Sequence, residues 1–150
     1  MKAYCYIVFV LLVCILPSAC VLEGGPPGQA GGYVFYDKGE YSNGWRYLEC
    51  APEDAGEKCD WATAKSRCDD YSHNGYDDWR LPGDTEINWM YSNLYKKGMG
   101  YFFYLGDQYY WAVDSGGDEY QLDFSNGKGR GISSSDGFQS LCYTRPVRQF

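Results

Sequence analysis

The first twenty residues constrain the rest of the chain most, because they decide in which compartment it folds. They comprise a basic start at Lys2, an apolar run of fourteen residues from position 3 to 16, and Pro17-Ser18-Ala19-Cys20. This order is typical of a secretory signal peptide, and the apolar run is too short to span a bilayer. We therefore predict that residues 1–19 are removed and that the rest folds in an oxidising compartment.

Cys20 decides how the mature chain is held. A cysteine after Ser18-Ala19 matches the lipobox of bacterial lipoproteins, in which that cysteine is lipidated, although Pro17 stands where leucine is usual. We predict lipidation at Cys20. The protein is then a lipid-anchored component of the bacterial cell envelope, on its periplasmic or surface face, and contacts the membrane through the anchor only. The alternative is an ordinary signal peptide cut near Ala19, which leaves Cys20 as a spare thiol.

The cysteine count favours the lipid anchor. Of the seven cysteines, Cys5 and Cys14 leave with the signal peptide. With Cys20 lipidated, an even set of four remains, which suffices for two disulfides: Cys50, Cys59, Cys68 and Cys142. Four cysteines allow three connectivities, and the sequence leaves the choice open.

Charge and aromatic content bound the partners. Loss of Lys2 leaves 12 basic residues against 20 acidic residues, a net charge of −8. Such a domain repels nucleic acid, anionic lipid and sulfated polysaccharide at long range, so we expect no nucleic-acid partner. The 16 tyrosines, 7 phenylalanines and 5 tryptophans suit either a recognition surface or half-buried sheets, and composition alone does not separate the two.

The remaining 131 residues suit one α+β domain behind a tether. Residues 20–32 hold the lipid-anchor cysteine and a stretch rich in Gly and Pro, which predicts a tether. Residues 33–150 form the folded domain. Its strands are predicted over residues 33–36, 45–50, 109–113, 120–124 and 141–147, with Asn126-Gly127 as a hairpin turn.

Apolar periodicity predicts two helices. The first begins after Asp60, whose carboxylate suits an N-cap, and places Trp61, Ala64, Cys68 and Tyr71 on one face. The second follows Pro82-Gly83, carries Glu86 in its first turn, and ends near Lys96-Lys97-Gly98. Its apolar face consists of Ile87, Met90, Tyr91 and Leu94.

The residues do not favour catalysis or a metal site. The one histidine, His73, lies in a polar segment, and no nucleophile elbow or carboxylate pair is marked by spacing. The cysteine spacing does not suit zinc. Residues 70–75 place oxygen ligands at alternate positions before a glycine, as calcium loops do, but position twelve is Leu81 instead of glutamate. We therefore predict no cofactor, with a turn favoured over calcium at residues 70–75.

Several motifs, taken in order, resemble a known bacterial domain. They are Gly31-Gly32-Tyr33-Val34-Phe35-Tyr36-Asp37, Gly44-Trp45-Arg46-Tyr47-Leu48-Glu49, residues 61–68, Asp78-Trp79-Arg80-Leu81-Pro82, Tyr110-Trp111 and Arg145-Pro146-Val147-Arg148. The stretch from about residue 28 to 150 resembles the C-terminal domain family of the Legionella collagen-like adhesin, a domain of unknown function that also occurs in spirochaete lipoproteins.

The resemblance implies a C-type-lectin-like fold, with two helices and a small twisted antiparallel sheet closed by neighbouring N- and C-terminal strands. It also implies disulfides from Cys68 to Cys142 and from Cys50 to Cys59. The calcium-binding triplets of true C-type lectins are missing, and Trp111 is followed by Ala112-Val113-Asp114. No sugar specificity is therefore carried over. Arg80 and Trp79, within the most specific motif, are expected to be structural.

The recognition surface is predicted within residues 95–119, where lectin-like folds carry a long variable loop. The candidate ligand-binding residues are Tyr101, Tyr104, Asp107, Tyr109, Asp114 and Asp118, whereas Phe103 and Trp111 are expected in the core. Exposed aromatic rings beside carboxylates stack on sugars or anchor proteins. The sequence thus predicts a non-catalytic adhesion lipoprotein whose lectin-like domain binds a surface glycan or an extracellular protein. The alternative is a structural envelope lipoprotein without a specific ligand, and an enzyme is the least favoured class.

Overall fold

Both ends of the domain contribute to its first sheet. The computed structural model describes residues 27–102, 108–132 and 140–150. Strands β1 (Tyr33–Ser42) and β2 (Trp45–Cys50) form an antiparallel hairpin, and β6 (Val147–Gln149) pairs with the other edge of β2. The expectation that the N- and C-terminal strands are neighbours is wrong, because β2 lies between them and bonds to both.

The two predicted helices are confirmed. Helix α1 spans Trp61–Asp69, and its N-cap Asp60 accepts a hydrogen bond from the Thr63 amide at 2.9 Å. Helix α2 spans Asp84–Asn93, and Glu86 accepts a hydrogen bond from the Gly83 amide at 2.8 Å. A short 3-10 turn, Tyr95–Lys97, then leads to Gly98 in the left-handed conformation (φ 71°), which ends the helical region as the sequence predicted.

The remaining strands form a second antiparallel sheet instead of extending the first. It has the order β3 (Tyr109–Val113), β4 (Glu119–Asp123) and β5 (Lys128–Gly131), with Asn126-Gly127 in the predicted turn. Tyr143 ties this sheet to the C-terminal segment, since its amide donates to the Tyr109 carbonyl at 2.8 Å and its carbonyl accepts from the Trp111 amide at 2.9 Å. The predicted strand over residues 141–147 is wrong in its bounds: Cys142 and Tyr143 form only isolated bridges, and the strand is Val147–Gln149.

Two main apolar clusters fill the domain. The larger packs the first sheet against α2 and β3–β4. The smaller lies beneath α1 and contains Cys59, Ala64, Cys68, Leu81, Trp111 and Cys142. Trp111 lies in this core as expected, with its indole nitrogen donating to the Cys59 carbonyl at 2.7 Å, and Phe103 lies outside the described residues.

The four domain cysteines are buried free thiols, so the two predicted disulfides are not confirmed. Cys50 ends β2 and packs in the larger cluster, whereas Cys59, Cys68 and Cys142 pack in the smaller one. The expected link from Cys50 to Cys59 therefore joins residues that the fold places in different clusters.

The described part of the predicted tether is bound to the domain. Glu49, which is fully buried, accepts hydrogen bonds from the amides of Ala30 (3.0 Å) and Gly32 (3.2 Å). A Cβ on Gly32 would lie 2.0 Å from the Cys50 carbonyl oxygen, so the close approach requires glycine. From residue 27 onward the segment is thus part of the fold.

The most specific sequence motif has the structural role that we expected. Trp79 is 3% exposed. Arg80 donates two hydrogen bonds to Glu86 at 2.6 and 2.7 Å and one to the Leu81 carbonyl. Because Glu86 also caps α2, the motif fixes the start of that helix.

Candidate ligand-binding site

The segment between β2 and α1 builds one wall of the candidate site. It follows the C-terminal segment closely, since the Ala51 amide donates to the Pro146 carbonyl and the Ala55 amide to the Thr144 carbonyl, at 2.8 and 2.9 Å. Gly56 turns the chain with φ 87°. The segment is therefore held by backbone bonds although it forms neither helix nor strand.

Arg145 joins this wall to a second one. Its guanidinium, 1% exposed, donates to the carbonyls of Ala51 and Pro52 on one side and to those of Gly100 and Tyr101 on the other, at 2.9–3.3 Å. Its flat face lies 4.5 Å from the ring centroid of Phe102. One side chain thus sets the distance between two loops that are far apart in sequence.

Asp54 provides the charge partner for Arg145. Its carboxylate accepts hydrogen bonds from Arg145 Nε at 2.5 Å and from the Tyr110 hydroxyl at 3.1 Å. Burial raises the pKa of Asp54, and the two donors oppose that rise. Burial alone would lower the pKa of Arg145, but the nearby Asp54 raises it above its ordinary value. The two groups form a buried ion pair beneath the site.

A cavity of about 600 Å³ opens between the two walls. This volume lies in the range of small-ligand sites. Its lining combines three carboxylates, two tyrosine rings and two basic side chains: Pro52, Glu53, Asp54, Gly56, Glu57, Lys58, Tyr101, Tyr143 and Arg145. Because Asp54 and Arg145 pair with each other, the groups left to meet a ligand are chiefly Glu53, Glu57 and Tyr101.

Tyr101 is the most exposed ring of this lining. It is 61% exposed and has φ 48°, a left-handed conformation that is uncommon for a tyrosine. The Arg145 contact to its carbonyl holds it there, and the Tyr33 ring packs nearby at a centroid distance of 6.1 Å. A strained, exposed aromatic residue at a cavity is a feature common at binding sites.

A second cavity, of about 710 Å³, lies on the α1 side of the same loop and shares Asp54 and Gly56 with the first. Its lining is rich in hydroxyl groups: Asp54, Ala55, Gly56, Thr63, Ser66, Arg67, Asp70, Tyr71 and Ser72. Arg67 fixes the loop from this side, since it donates to the carbonyls of Ala55 (3.3 Å) and Glu57 (2.6 Å).

The predicted recognition residues are not gathered in one place. Tyr101 lines the first cavity, whereas Tyr104 and Asp107 lie outside the described residues. Asp114 accepts hydrogen bonds at 2.8 Å from the amides of Gly116 and Asp118, so it shapes the turn between β3 and β4, in which Asp118 also lies. Tyr109 packs against the smaller cluster and lies opposite Asp123 in the pairing of β3 with β4.

Sequence reasoning missed most of the cavity lining. Glu53, Glu57, Lys58 and Tyr143 were not singled out, because they come from a short loop and from a region interpreted as a closing strand. The one available signal was the charged run around Pro52 and Gly56, between a predicted strand and a predicted helix, where binding loops commonly occur.

Residues 70–75 form the turn that the sequence favoured over calcium. Asn74 and Gly75 both have positive φ, 50° and 83°, and His73 pairs with Tyr76 across them. The Asn74 amide donates to the Ala30 carbonyl at 2.9 Å. Within the described ranges, no three His, Cys, Asp or Glu side chains lie close enough together to hold a metal ion.

Comparisons with known proteins add no support to the resemblance, which therefore rests on its sequence motifs alone. No family model matches the chain, and no curated protein matches it. None of the helices in the described part of the chain has the length and apolar character needed to cross a membrane.

Proposed function

We propose that this protein is a non-catalytic, lipid-anchored lipoprotein of the bacterial cell envelope whose domain binds a surface glycan in the cavity beside Tyr101. The observation that carries the proposal is the placement of Tyr101, an exposed ring held in a strained conformation in the lining of a cavity of about 600 Å³. Aromatic rings stack on the apolar faces of sugars, which suits this exposure.

The polar lining suits hydroxyl groups. Glu53 and Glu57 are exposed carboxylates and accept hydrogen bonds, while the ammonium of Lys58 donates them. The Lys58 nitrogen also lies 5.2 Å from the centroid of the Tyr143 ring, which brings a donor and a second aromatic face to one wall. The net charge of −8 after signal cleavage favours a neutral or basic glycan over a sulfated one.

We also propose that the domain has a C-type-lectin-like fold. A C-type-lectin-like fold is supported by the order of the elements, two strands followed by two helices and then further strands, and by the pairing of β1 and β6 with the same strand. The proposed fold requires no particular disulfide pairing, since all four domain cysteines are thiols in the structure.

A glycan array tests the binding proposal directly. The wild-type chain is compared with Tyr101→Asn, because asparagine tolerates the left-handed conformation and removes only the ring. The matched control is Tyr41→Asn, since Tyr41 is 70% exposed on β1 and does not line either cavity. Binding that Tyr101→Asn weakens at least tenfold and Tyr41→Asn leaves unchanged supports the proposal.

Two results would count against a glycan ligand in this cavity. If no glycan binds with calcium or with a chelator, either the partner is a protein or the lipoprotein is structural and has no ligand. If both tyrosine variants bind like the wild type, the ligand sits elsewhere. Binding that is lost with the chelator would add calcium to the site, which the described residues give no reason to expect.

The lipid anchor has its own test. Cells that express the chain are grown with a fatty-acid analogue, and the purified protein is examined for the label. Cys20→Ser should abolish the label and release the protein from membranes, because a single acylated residue is the proposed attachment. An unlabelled wild-type protein would contradict the anchor and leave the binding proposal intact.

The structural alternative also has an observation in its favour. Phe102, Tyr110 and Trp111 are at most 3% exposed, so much of the aromatic content of residues 101–113 serves packing. Under this alternative, Tyr101 is a surface residue without a ligand. The array separates the two proposals, because a structural lipoprotein binds none of the probes.

A further inference from the structure

Three of the four buried thiols lie together next to the cavity wall. Cys59, Cys68 and Cys142 belong to the smaller cluster, and Cys50 belongs to the larger one. Cys59 directly follows Lys58 and Cys142 directly precedes Tyr143, and these two neighbours line the cavity. A covalent link within this group would therefore act on the wall of the site.

Cys59 and Cys142 face each other across an antiparallel bridge. The Cys59 amide donates to the Cys142 carbonyl at 3.0 Å, and the Cys142 amide donates to the Cys59 carbonyl at 3.1 Å. Residues in such a reciprocal pair have Cα atoms about 5.5 Å apart and side chains on the same face. Disulfides join Cα atoms about 4.4–6.8 Å apart. The backbone is thus already placed for a crosslink.

The other two cysteines have different surroundings. Cys50 ends the central strand of the first sheet, opposite Tyr33 on one side and Val147 on the other, and no cysteine occupies either position. Cys68 approaches from α1, and its sulfur lies 3.3 Å from the Thr144 hydroxyl. Among the described residues, no backbone hydrogen bonds place Cys50 or Cys68 opposite another cysteine.

We propose that oxidation joins Cys59 to Cys142 and leaves Cys50 and Cys68 as thiols. The oxidant is a disulfide such as oxidised glutathione. One cysteine thiolate attacks it and releases one glutathione, and the second cysteine then attacks the mixed disulfide and releases the other. The two protein thiols become one disulfide, the glutathione disulfide is reduced, and the two protons end on the released glutathione thiols.

The thiol–disulfide exchange takes place during folding, before the two cysteines are buried. Burial raises the pKa of Cys142 to about 12 and also raises the pKa of Cys59, so thiolates are scarce in the folded domain. Once formed, the link ties the segment before α1 to the segment before β6. It thereby fixes the wall that contains Lys58 and Tyr143, whatever the ligand of the cavity is.

Peptide mapping tests the proposal on the full chain. The protein is refolded in a mixture of oxidised and reduced glutathione, its free thiols are alkylated, and it is digested with trypsin without reduction. Cleavage after Lys58, Lys65 and Arg67 places Cys50, Cys59, Cys68 and Cys142 on four separate peptides, while Cys5, Cys14 and Cys20 share residues 3–38. We expect the Cys59 and Cys142 peptides to be linked, and Cys50 and Cys68 to be alkylated.

Variants make the result quantitative. The double variant Cys50→Ser, Cys68→Ser keeps the proposed pair and should lose about 5 °C or more in Tm on reduction, because the link closes a long loop. Adding Cys59→Ser to it should remove that shift. A Cys68–Cys142 or Cys50–Cys59 peptide, or four alkylated thiols after oxidative refolding, would overturn the proposal. The wild-type map decides the matter by itself if the double variant does not fold.

Discussion

Two buried arginines near the C-terminus, three positions apart, do different work. Arg148 bonds to two carboxylates, Glu49 at 2.6 Å and Asp78 at 2.6 Å, and its guanidinium lies 4.3 Å from the ring centroid of Tyr76. Arg145 bonds to one carboxylate, Asp54, and gives its other donors to four backbone carbonyls. The first arginine joins side chains, and the second joins loops.

This difference separates a closed region from an open one. Arg148 forms an ion pair with Glu49, and Glu49 also accepts hydrogen bonds from the segment that begins at residue 27. Around Arg145, the bonds hold two loops apart, and the guanidinium itself lines a cavity. The same residue type thus completes the core at one site and builds a binding wall at the other, so we expect function on the Arg145 side.

The largest effect should come from Arg145→Leu. The change leaves Asp54 buried without its charge partner and several carbonyls without donors, which costs about 3–5 kcal/mol in the free energy of unfolding. Urea denaturation monitored by circular dichroism measures the loss. The matched control is Arg46→Leu, whose surface pair with Asp37 is more than one-third exposed on both sides and contributes little to stability. Equal losses would show that Arg145 does not join the two loops.

Glu49→Gln tests the closed region. The substitution keeps the size of the side chain and an acceptor for the Ala30 amide but removes the charge that faces Arg148, while Asp78 remains as a partner. We expect a loss of about 1–3 kcal/mol in the free energy of unfolding, below that of Arg145→Leu. Faster proteolysis before Tyr33 would show that the N-terminal segment has come loose. A loss above that of Arg145→Leu would reverse the comparison.

Asp78→Asn should have a smaller and pH-dependent effect. Hydrogen bonds from Arg148 lower the pKa of Asp78 below its ordinary value of 3.8. A lowered carboxyl pKa stabilises the fold above about pH 4, and the contribution disappears as the pH falls through the lowered value. Because the Asp78 side chain is 52% exposed, we expect under about 1 kcal/mol at pH 7. Urea titrations of both proteins at pH 7 and pH 3 should show the difference shrinking at pH 3, and a difference that grows would contradict the assignment.

Local features of the fold were predictable from the sequence. Asp60 before an apolar stripe marks the start of α1, and Glu86 after Pro82-Gly83 marks α2, because capping and periodicity act within a few residues. The strand over residues 45–50 was predicted with its observed bounds. The arrangement into two sheets was not, since strand partners are chosen by contacts between distant segments, which periodicity does not report.

The candidate site was the least predictable feature, for the same reason. Its lining comes from residues 52–58, from Tyr101 and from Tyr143 and Arg145, segments separated by more than forty residues. An acidic residue such as Asp114 looks like a ligand group in the sequence, yet it caps the amides of its own turn. The resemblance named Arg145 as part of a motif but carried no role for it, and its role depends on carbonyls that any residue supplies.

The smallest effect on stability should come from Tyr101→Asn, and it sharpens the comparison most. Tyr101 is 61% exposed, and its link to Arg145 is made by its carbonyl, which the variant keeps. Asparagine also accepts the left-handed φ better than tyrosine does. We therefore expect the free energy of unfolding to change by less than about 0.5 kcal/mol, measured in urea as above. If Tyr101→Asn loses ligand binding but keeps its stability, then Arg145 stabilises the fold and the Tyr101 ring serves binding. A loss above about 2 kcal/mol would instead show that the Tyr101 ring is part of the packed structure, and the Arg145 region would then be closed like the Arg148 region.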